Sequence, residues 1–261
     1  METNLHEQKR VWELVPGEKT SVIFVSPDQK TEEIVLLIHG FMSNKNSETN
    51  QMLAQRLGGK GIATIRFDLF GHGESDGLLQ HLTLSRCLHQ IDGVMKWIRS
   101  NGYLYVSVVG SSFGGLIAIH TAGQYPDLHC LALKCPVSNY PRIWQNRLAK
   151  EGMLRWKKEG VIAFLTEDGK AKLDYHFYED LLRYDAYSVA MQIKTPTLVI
   201  HGDADTDVPV DQTIRLFDTL RLPNDQKQLM IIPGADHAFS KQEDFQRMIN
   251  QIDDWLMPLK K

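Results

Sequence analysis

Val108-Val109-Gly110-Ser111-Ser112-Phe113-Gly114-Gly115-Leu116-Ile117-Ala118 marks a change of period in the chain. Before it, Tyr103 to Val109 is a β-branched, apolar run that reads as a buried strand. After it, apolar residues return at helical spacing with Leu116, Ile117 and Ile119. The junction has the form Gly110-x-Ser112-x-Gly114, an elbow motif that takes its meaning from a strand before it and a helix behind it. A serine at the tip of such a turn sits in a strained backbone conformation. Glycine two residues before and two after lets neighbouring chain pass without a Cβ in the way. The turn lifts the hydroxyl above the sheet edge, and the helix start turns free N–H groups toward any anion formed there.

Working upstream, Lys9 to Val15 and Thr20 to Ser26 flank Pro16-Gly17-Glu18 and predict a hairpin. Ile34-Val35-Leu36-Leu37-Ile38 is continuously apolar, which predicts a strand buried on both faces. A polar loop, His39 to Asn46, follows it, and Ser47 and Glu48 open a helix carrying Met52, Leu53 and Leu57. Ile62 to Phe67 is the next strand, and Asp68 to Gly77 a tight loop punctuated by glycine. Leu88, Ile91, Met95 and Ile98 recur every three or four residues along a helix from Leu84 to Ser100. Downstream of the elbow helix, Leu128 to Lys134 is again a strand. Strand and helix alternating at this pitch predict a parallel sheet covered on both faces.

The alternation breaks after Pro136. Residues 137–190 hold nine of the chain's 23 aromatic side chains in about a fifth of its length, and their first part is basic, with Arg142, Arg147, Lys150, Arg155, Lys157 and Lys158. This reads as an insertion over the sheet edge, helical at its start, either a substrate-shaping lid or packing onto the core. The basic stretch reads as a solvated helix face. The rhythm then returns: Thr197 to His201 and Gln228 to Ile232 as strands, Val210 to Leu220 and Glu243 to Leu256 as helices. The whole chain, 1–261, is expected to be one domain with 137–190 inserted in it.

Composition narrows the class of function. A net charge of −3 offers no electrostatic attraction to nucleic acid or an anionic membrane. The N-terminus has no apolar signal core, and the apolar runs are strand-length, too short for a membrane span. Cys87, Cys130 and Cys135 form no C-x-x-C pair and read as buried small hydrophobes in a reducing compartment, the cytoplasm being the default. No zinc-like spacing of ligands occurs, so neither a metal nor another cofactor is expected. His39 and His72 are expected to tie loops to backbone. Gly71-x-Gly73-x-x-x-Gly77 lacks nucleotide-loop spacing and reads as a turn.

A serine hydroxyl becomes a nucleophile at neutral pH only with a histidine to take its proton and a carboxylate to orient that histidine. In a parallel sheet, loops at the carboxyl ends of strands carry such groups. Two later strands end suitably, one in Gly202-Asp203-Ala204-Asp205-Thr206-Asp207, the other in Pro233-Gly234-Ala235-Asp236-His237. The order is serine, aspartate, histidine.

With these segments quoted, the chain resembles the α/β-hydrolases over nearly all its length. The likeness rests on His39-Gly40-Phe41, on Gly71-His72-Gly73-x-Ser75-x-Gly77, on the elbow, and on Gly202-x-x-Asp205 followed by Asp236-His237. The first two loops further resemble the bacterial cinnamoyl and feruloyl esterase branch. That branch usually has histidine before the nucleophile, whereas Ser111 stands here and makes the elbow similar to prolyl-oligopeptidase-like and dienelactone-hydrolase-like relatives. The resemblance implies an α/β fold, a mostly parallel sheet of about eight strands flanked by helices, with a helical lid insertion. It implies Ser112 as nucleophile, His237 as base, Asp205 as acid with Asp203 its nearest rival, and the backbone N–H groups of Phe41 and Phe113 as oxyanion hole. Asp207 and Asp236 read as turn or capping residues. The expected activity is cofactor-free hydrolysis of small-molecule carboxylic esters with short, medium or aryl-acyl groups. Amide or peptide hydrolysis by the same triad, and a non-catalytic receptor on this fold, are the alternatives.

Overall fold

The computed structural model describes residues 5–166 and 169–256. In chain order the main elements are β1 (Leu5–Val15), β2 (Glu18–Pro27), β3 (Glu33–Ile38), α1 (Glu48–Gly59), β4 (Ala63–Phe67), α2 (Leu84–Ser100), β5 (Tyr105–Ser111), α3 (Phe113–Gln124) and β6 (Leu131–Lys134). There follow α4 (Tyr140–Glu159), β7 (Val161–Thr166), β8 (Gly169–Asp174), α5 (Tyr175–Leu181), α6 (Ala186–Ala190), β9 (Thr197–Gly202), α7 (Val210–Thr219), β10 (Lys227–Ile232) and α8 (Gln242–Trp255).

Eight strands form one sheet in the order β1-β2-β4-β3-β5-β6-β9-β10, parallel from β4 to β10 and antiparallel at the β1–β2 end. The continuously apolar stretch is β3, near the middle. Ile34, Leu36 and Ile38 join one apolar cluster with residues of α2 and α3, while Val35 and Leu37 join the other with residues of α1 and α8. Burial on both faces is therefore the reason for the unbroken run. The start of α1 follows its sequence signal, Ser47 accepting the Asn50 N–H, and Thr83 caps α2 in the same way by accepting the Arg86 N–H.

Register decides where chemistry can collect. Ile38 pairs with Gly110, Ser111 with Lys134, Lys134 with Ile200, and Gly202 with Ile232. The carboxyl ends of β3, β5, β6, β9 and β10 thus lie level, and the loops leaving them share one edge of the sheet.

Residues 140–190 are not uniformly helical. The basic stretch does begin in α4, whose backbone breaks at Ala149 (φ 52°, ψ −177°), and Gly160 ends it in the left-handed region (φ 75°). Next come β7 and β8, an antiparallel hairpin separate from the main sheet, then the short α5 and α6. Val161-Ile162-Ala163-Phe164-Leu165 is too short a run to show the hairpin against the surrounding aromatics. The hairpin base is held by Asp174, which accepts from Gln80 Nε2 and lies 2.8 Å from His81 Nδ1. Among the described residues, no helix is long and apolar enough to cross a membrane.

Candidate active site

Ser112 caps the start of α3 with φ 54° and ψ −116°. Only close-packed surroundings sustain such a conformation in a residue with a Cβ. A Cβ at Gly110 would strike the Gly114 carbonyl and Ala118, and one at Gly114 would strike the carbonyls of Ile38 and His39. The two glycines of the motif are thus required by close approach, as the sequence implied. Gly40 passes over the elbow, where a Cβ would lie 3.1 Å from Ser112 Cβ and 3.7 Å from its Oγ. The backbone N–H groups of Phe41 and Phe113 have no hydrogen-bond acceptor among the described residues.

At the ends of β9 and β10, Asp205 Oδ2 lies 2.6 Å from His237 Nδ1. The Asp205 side chain is fully buried, and that of His237 is 22% exposed. Asp205 Oδ1 accepts the N–H groups of Asp207 and Val208, each at 2.8 Å. Burial pushes the Asp205 carboxyl up, but hydrogen bonds from His201 and His237 outweigh it and hold the group well below the usual carboxylate range. The rival Asp203 accepts the Gly234 N–H at 2.6 Å, and Asp236 accepts the Ser240 N–H at 2.8 Å. Asp207 lies 3.6 Å from Arg147 and is half-exposed. Of the four aspartates, Asp205 is the one bonded to His237.

Ser112 connects to this pair through β6. Its N–H donates to the Lys134 carbonyl at 2.9 Å, and Lys134 Nζ donates to the His237 carbonyl at 3.1 Å. No hydrogen bond joins the Ser112 hydroxyl to His237 among the described residues; such contacts are often long until substrate is bound. Lys134 was not singled out from sequence. Its buried charge at the end of a strand is visible only once β6 is flanked by β5 and β9.

The loop carrying Phe41 is braced from below. His39 Nε2 accepts the Leu69 N–H at 3.0 Å while Nδ1 donates to the Gly40 carbonyl at 2.8 Å. His72 Nε2 accepts the Met42 N–H at 3.2 Å while Nδ1 donates to the Phe70 carbonyl at 3.0 Å. Both therefore tie loops to backbone, and both must stay neutral to do so. Burial pulls His39 down to about 3, and it lowers His72 as well. A buried Lys45 adds a polar rivet, bonding Asp68 and Glu74 at 2.6 Å each. Burial opposes its charge, and the two carboxylates more than compensate, raising its pKa.

The Phe41 ring, in the loop that passes the elbow, sits 6.1–6.4 Å from those of Phe113, Tyr140, Trp144, Phe164 and Phe177. Four of these five come from residues 137–190. Two trios, Cys135–His201–Asp205 and Asp205–Asp207–His237, bring ligand-type atoms within 4.8 Å of one another. Both depend on the same Asp205, which is already committed to His237, and neither offers a fourth protein ligand. The three cysteines are free and buried.

Residues 80–259 match the family model described as "Prolyl oligopeptidase family". The Bos taurus protein "Palmitoyl-protein thioesterase ABHD10, mitochondrial" is 23% identical over 262 residues, covering 95% of this chain and 84% of that protein. Among solved structures, "Alpha/beta hydrolase domain-containing protein 10 from mouse" gives a TM-score of 0.80 at 20% identity, covering 98% of this chain and 100% of that one. "Ferulic Acid bound to Est1E from Butyrivibrio proteoclasticus" gives 0.78 at 22% identity, over 92% and 97% of the two chains. These likenesses establish the α/β-hydrolase fold.

Proposed function

Because the chain belongs to the prolyl oligopeptidase family and has the α/β-hydrolase fold, we propose that it is a hydrolase cleaving carboxylic esters through Ser112, His237 and Asp205. The observation that carries this reading is the buried Asp205–His237 pair, 2.6 Å apart, at the same sheet edge as the Ser112 elbow. Its supports are the N–H groups of Phe41, in the loop after β3, and Phe113, at the start of α3, which have no acceptor among the described residues.

His237 takes the Ser112 proton as Oγ attacks the acyl carbonyl, and Asp205 stabilises the imidazolium that forms. The oxyanion is held by the two N–H groups until the carbonyl reforms and the alcohol leaves with the proton from His237. Water then attacks the acyl-enzyme through the same base, releasing the acid and restoring Ser112.

The aromatic cluster around Phe41 favours short, medium or aryl-acyl groups, with residues 137–190 acting as the specificity-setting cap. Free, buried cysteines suit a reducing compartment such as the cytoplasm. Amide hydrolysis is the second reading, favoured by the family match itself, and the bovine relative's name adds thioesters to the substrates worth assaying. The test is kcat/KM on acetyl, butyryl, feruloyl, acyl-thioester and aminoacyl-amide substrates, with Ser112→Ala and Ser111→Ala beside the parent. Ser112→Ala should lose at least about a thousandfold in kcat. Ser111→Ala should keep activity, since the buried Ser111 hydroxyl has no partner among the described residues. Turnover by Ser112→Ala at near-parental rate would refute the nucleophile; amides outrunning esters would replace the substrate class.

A further inference from the structure

Resting on the triad reading above, we propose that His201 is a positioning residue for the acid: a second imidazole, locked by Thr213, that sets its Nε2 proton beside Asp205 and limits the acid's hold on His237. His201 lies near the end of β9, four residues before Asp205, and is wholly buried. Its Nδ1 is 2.7 Å from the Thr213 hydroxyl on α7. With that hydroxyl donating to Nδ1, the ring proton sits on Nε2. There it faces two oxygens, the Val208 carbonyl at 2.9 Å and Asp205 Oδ2 at 3.1 Å.

Oδ2 is the same atom that meets His237 Nδ1. Two backbone N–H groups on Oδ1 and the His237 ring on Oδ2 hold the carboxylate, and His201 Nε2 closes over that same Oδ2 at 3.1 Å. The group cannot rotate without losing bonds in a site closed to water. The two histidines are not equivalent: the His201 side chain is 0% exposed, whereas that of His237 is 22% exposed. Only His237 can exchange a proton with substrate.

The other charged or titratable groups facing the pair come from the end of β6 and from the acid loop. Cys135, just after β6, has its sulfur within 4.8 Å of both His201 and Asp205, and burial pushes its thiol up to about 12, so it stays neutral. Lys134 beside it is held by the His237 carbonyl, and Asp207 on the acid loop by Arg147. The Cys135 thiol also lies beside Asp205, but a thiol is a weak donor next to an imidazole N–H.

Each N–H given to a carboxylate stabilises its charge and lowers its affinity for a further proton. Removing the His201 donor makes Asp205 a stronger partner for the His237 imidazolium. His237 then keeps its proton to higher pH, and the acid limb of the kcat/KM profile moves upward. A merely structural role for His201 would lower stability or kcat without moving that limb.

The experiment compares kcat/KM against pH, kcat and KM separately, and thermal melting for His201→Phe, His201→Gln and Thr213→Val, using a soluble nitrophenyl ester. The acid limb is expected to rise by about half a pH unit or more in His201→Phe and Thr213→Val, with KM little changed. His201→Gln, which keeps an amide donor near Nε2, is expected to fall back toward the parent. Should His201→Phe not fold, the nearly isosteric Thr213→Val and the Gln variant carry the comparison. An acid limb unmoved in folded Thr213→Val, or displaced equally in the Gln and Phe variants, overturns the inference. Ser112→Ala separates the two levels: if it retains turnover the triad reading has failed, and if it is inert while the limb stays put only the role of His201 has failed.

Discussion

Lys134 Nζ donates to the backbone carbonyl of His237 at 3.1 Å, from a side chain that is 8% exposed. Burial lowers the pKa of this lysine, so its charge is held at some cost to the fold. A charge-assisted hydrogen bond of this kind contributes about 1.5–3 kcal/mol, here to the placement of the histidine loop. Lys134→Met is therefore expected to lower kcat by about tenfold to a hundredfold while leaving the melting temperature nearly unchanged, because relief of the buried charge's desolvation cost offsets the lost hydrogen bond. Steady-state kinetics and calorimetry on one preparation check both halves. Unaltered kcat would mean that the loop holds His237 by itself.

Asp205 and Asp203 are two positions apart and differ in what they bond. Asp205→Asn is expected to lower kcat by about 10³- to 10⁴-fold, since the amide favours the wrong imidazole tautomer. Asp203→Asn, which touches the Gly234 N–H and not His237, should stay within about threefold of the parent. The reverse ranking would show that the acid has been misassigned.

Acid stability should depend on His120. Burial pulls this imidazole down to about 4, and its Nε2 has no partner among the described residues. The folded state keeps the ring neutral where the unfolded chain would protonate it. Its contribution is thus fully present above the unfolded value near 6.5 and is lost as pH falls from there through about 4. His120→Leu should reduce the drop in melting temperature between pH 7 and pH 4, measured by circular dichroism. An equal drop in parent and variant would place the acid sensitivity elsewhere, with His39 the next group to test.

Selectivity is expected to follow Phe164. Its ring, carried by the β7–β8 hairpin, lies 6.1 Å from that of Phe41. Phe164→Ala should preserve acetyl-ester hydrolysis within about twofold and lower the feruloyl-to-acetyl ratio of kcat/KM by about tenfold, the scale of one lost aromatic contact. A constant ratio would reduce the hairpin to packing.

The central strands and helices were readable because their residues answer to local rules. Periodicity shows in Leu84 to Ser100, capping in Ser47, and burial on both faces in Ile34 to Ile38. The elbow was readable because its glycines are demanded by backbone approach within a few residues. The β7–β8 hairpin was not, since its short strands sit in a segment whose aromatics serve a cluster gathered from elsewhere in the chain.

By itself the sequence determined the alternation of strands and helices, the turn at Ser112 and the two loops in which an acid and a histidine could stand. Those are properties of neighbouring residues, set by covalent geometry and side-chain size. Which aspartate meets His237, and that Lys134, His201 and Thr213 surround the pair, only the tertiary structure decided. Parallel pairing brings residues over a hundred positions apart to one sheet edge, as with Lys134 and His237, and a hydrogen bond across such a separation leaves no period in the chain for the eye to find.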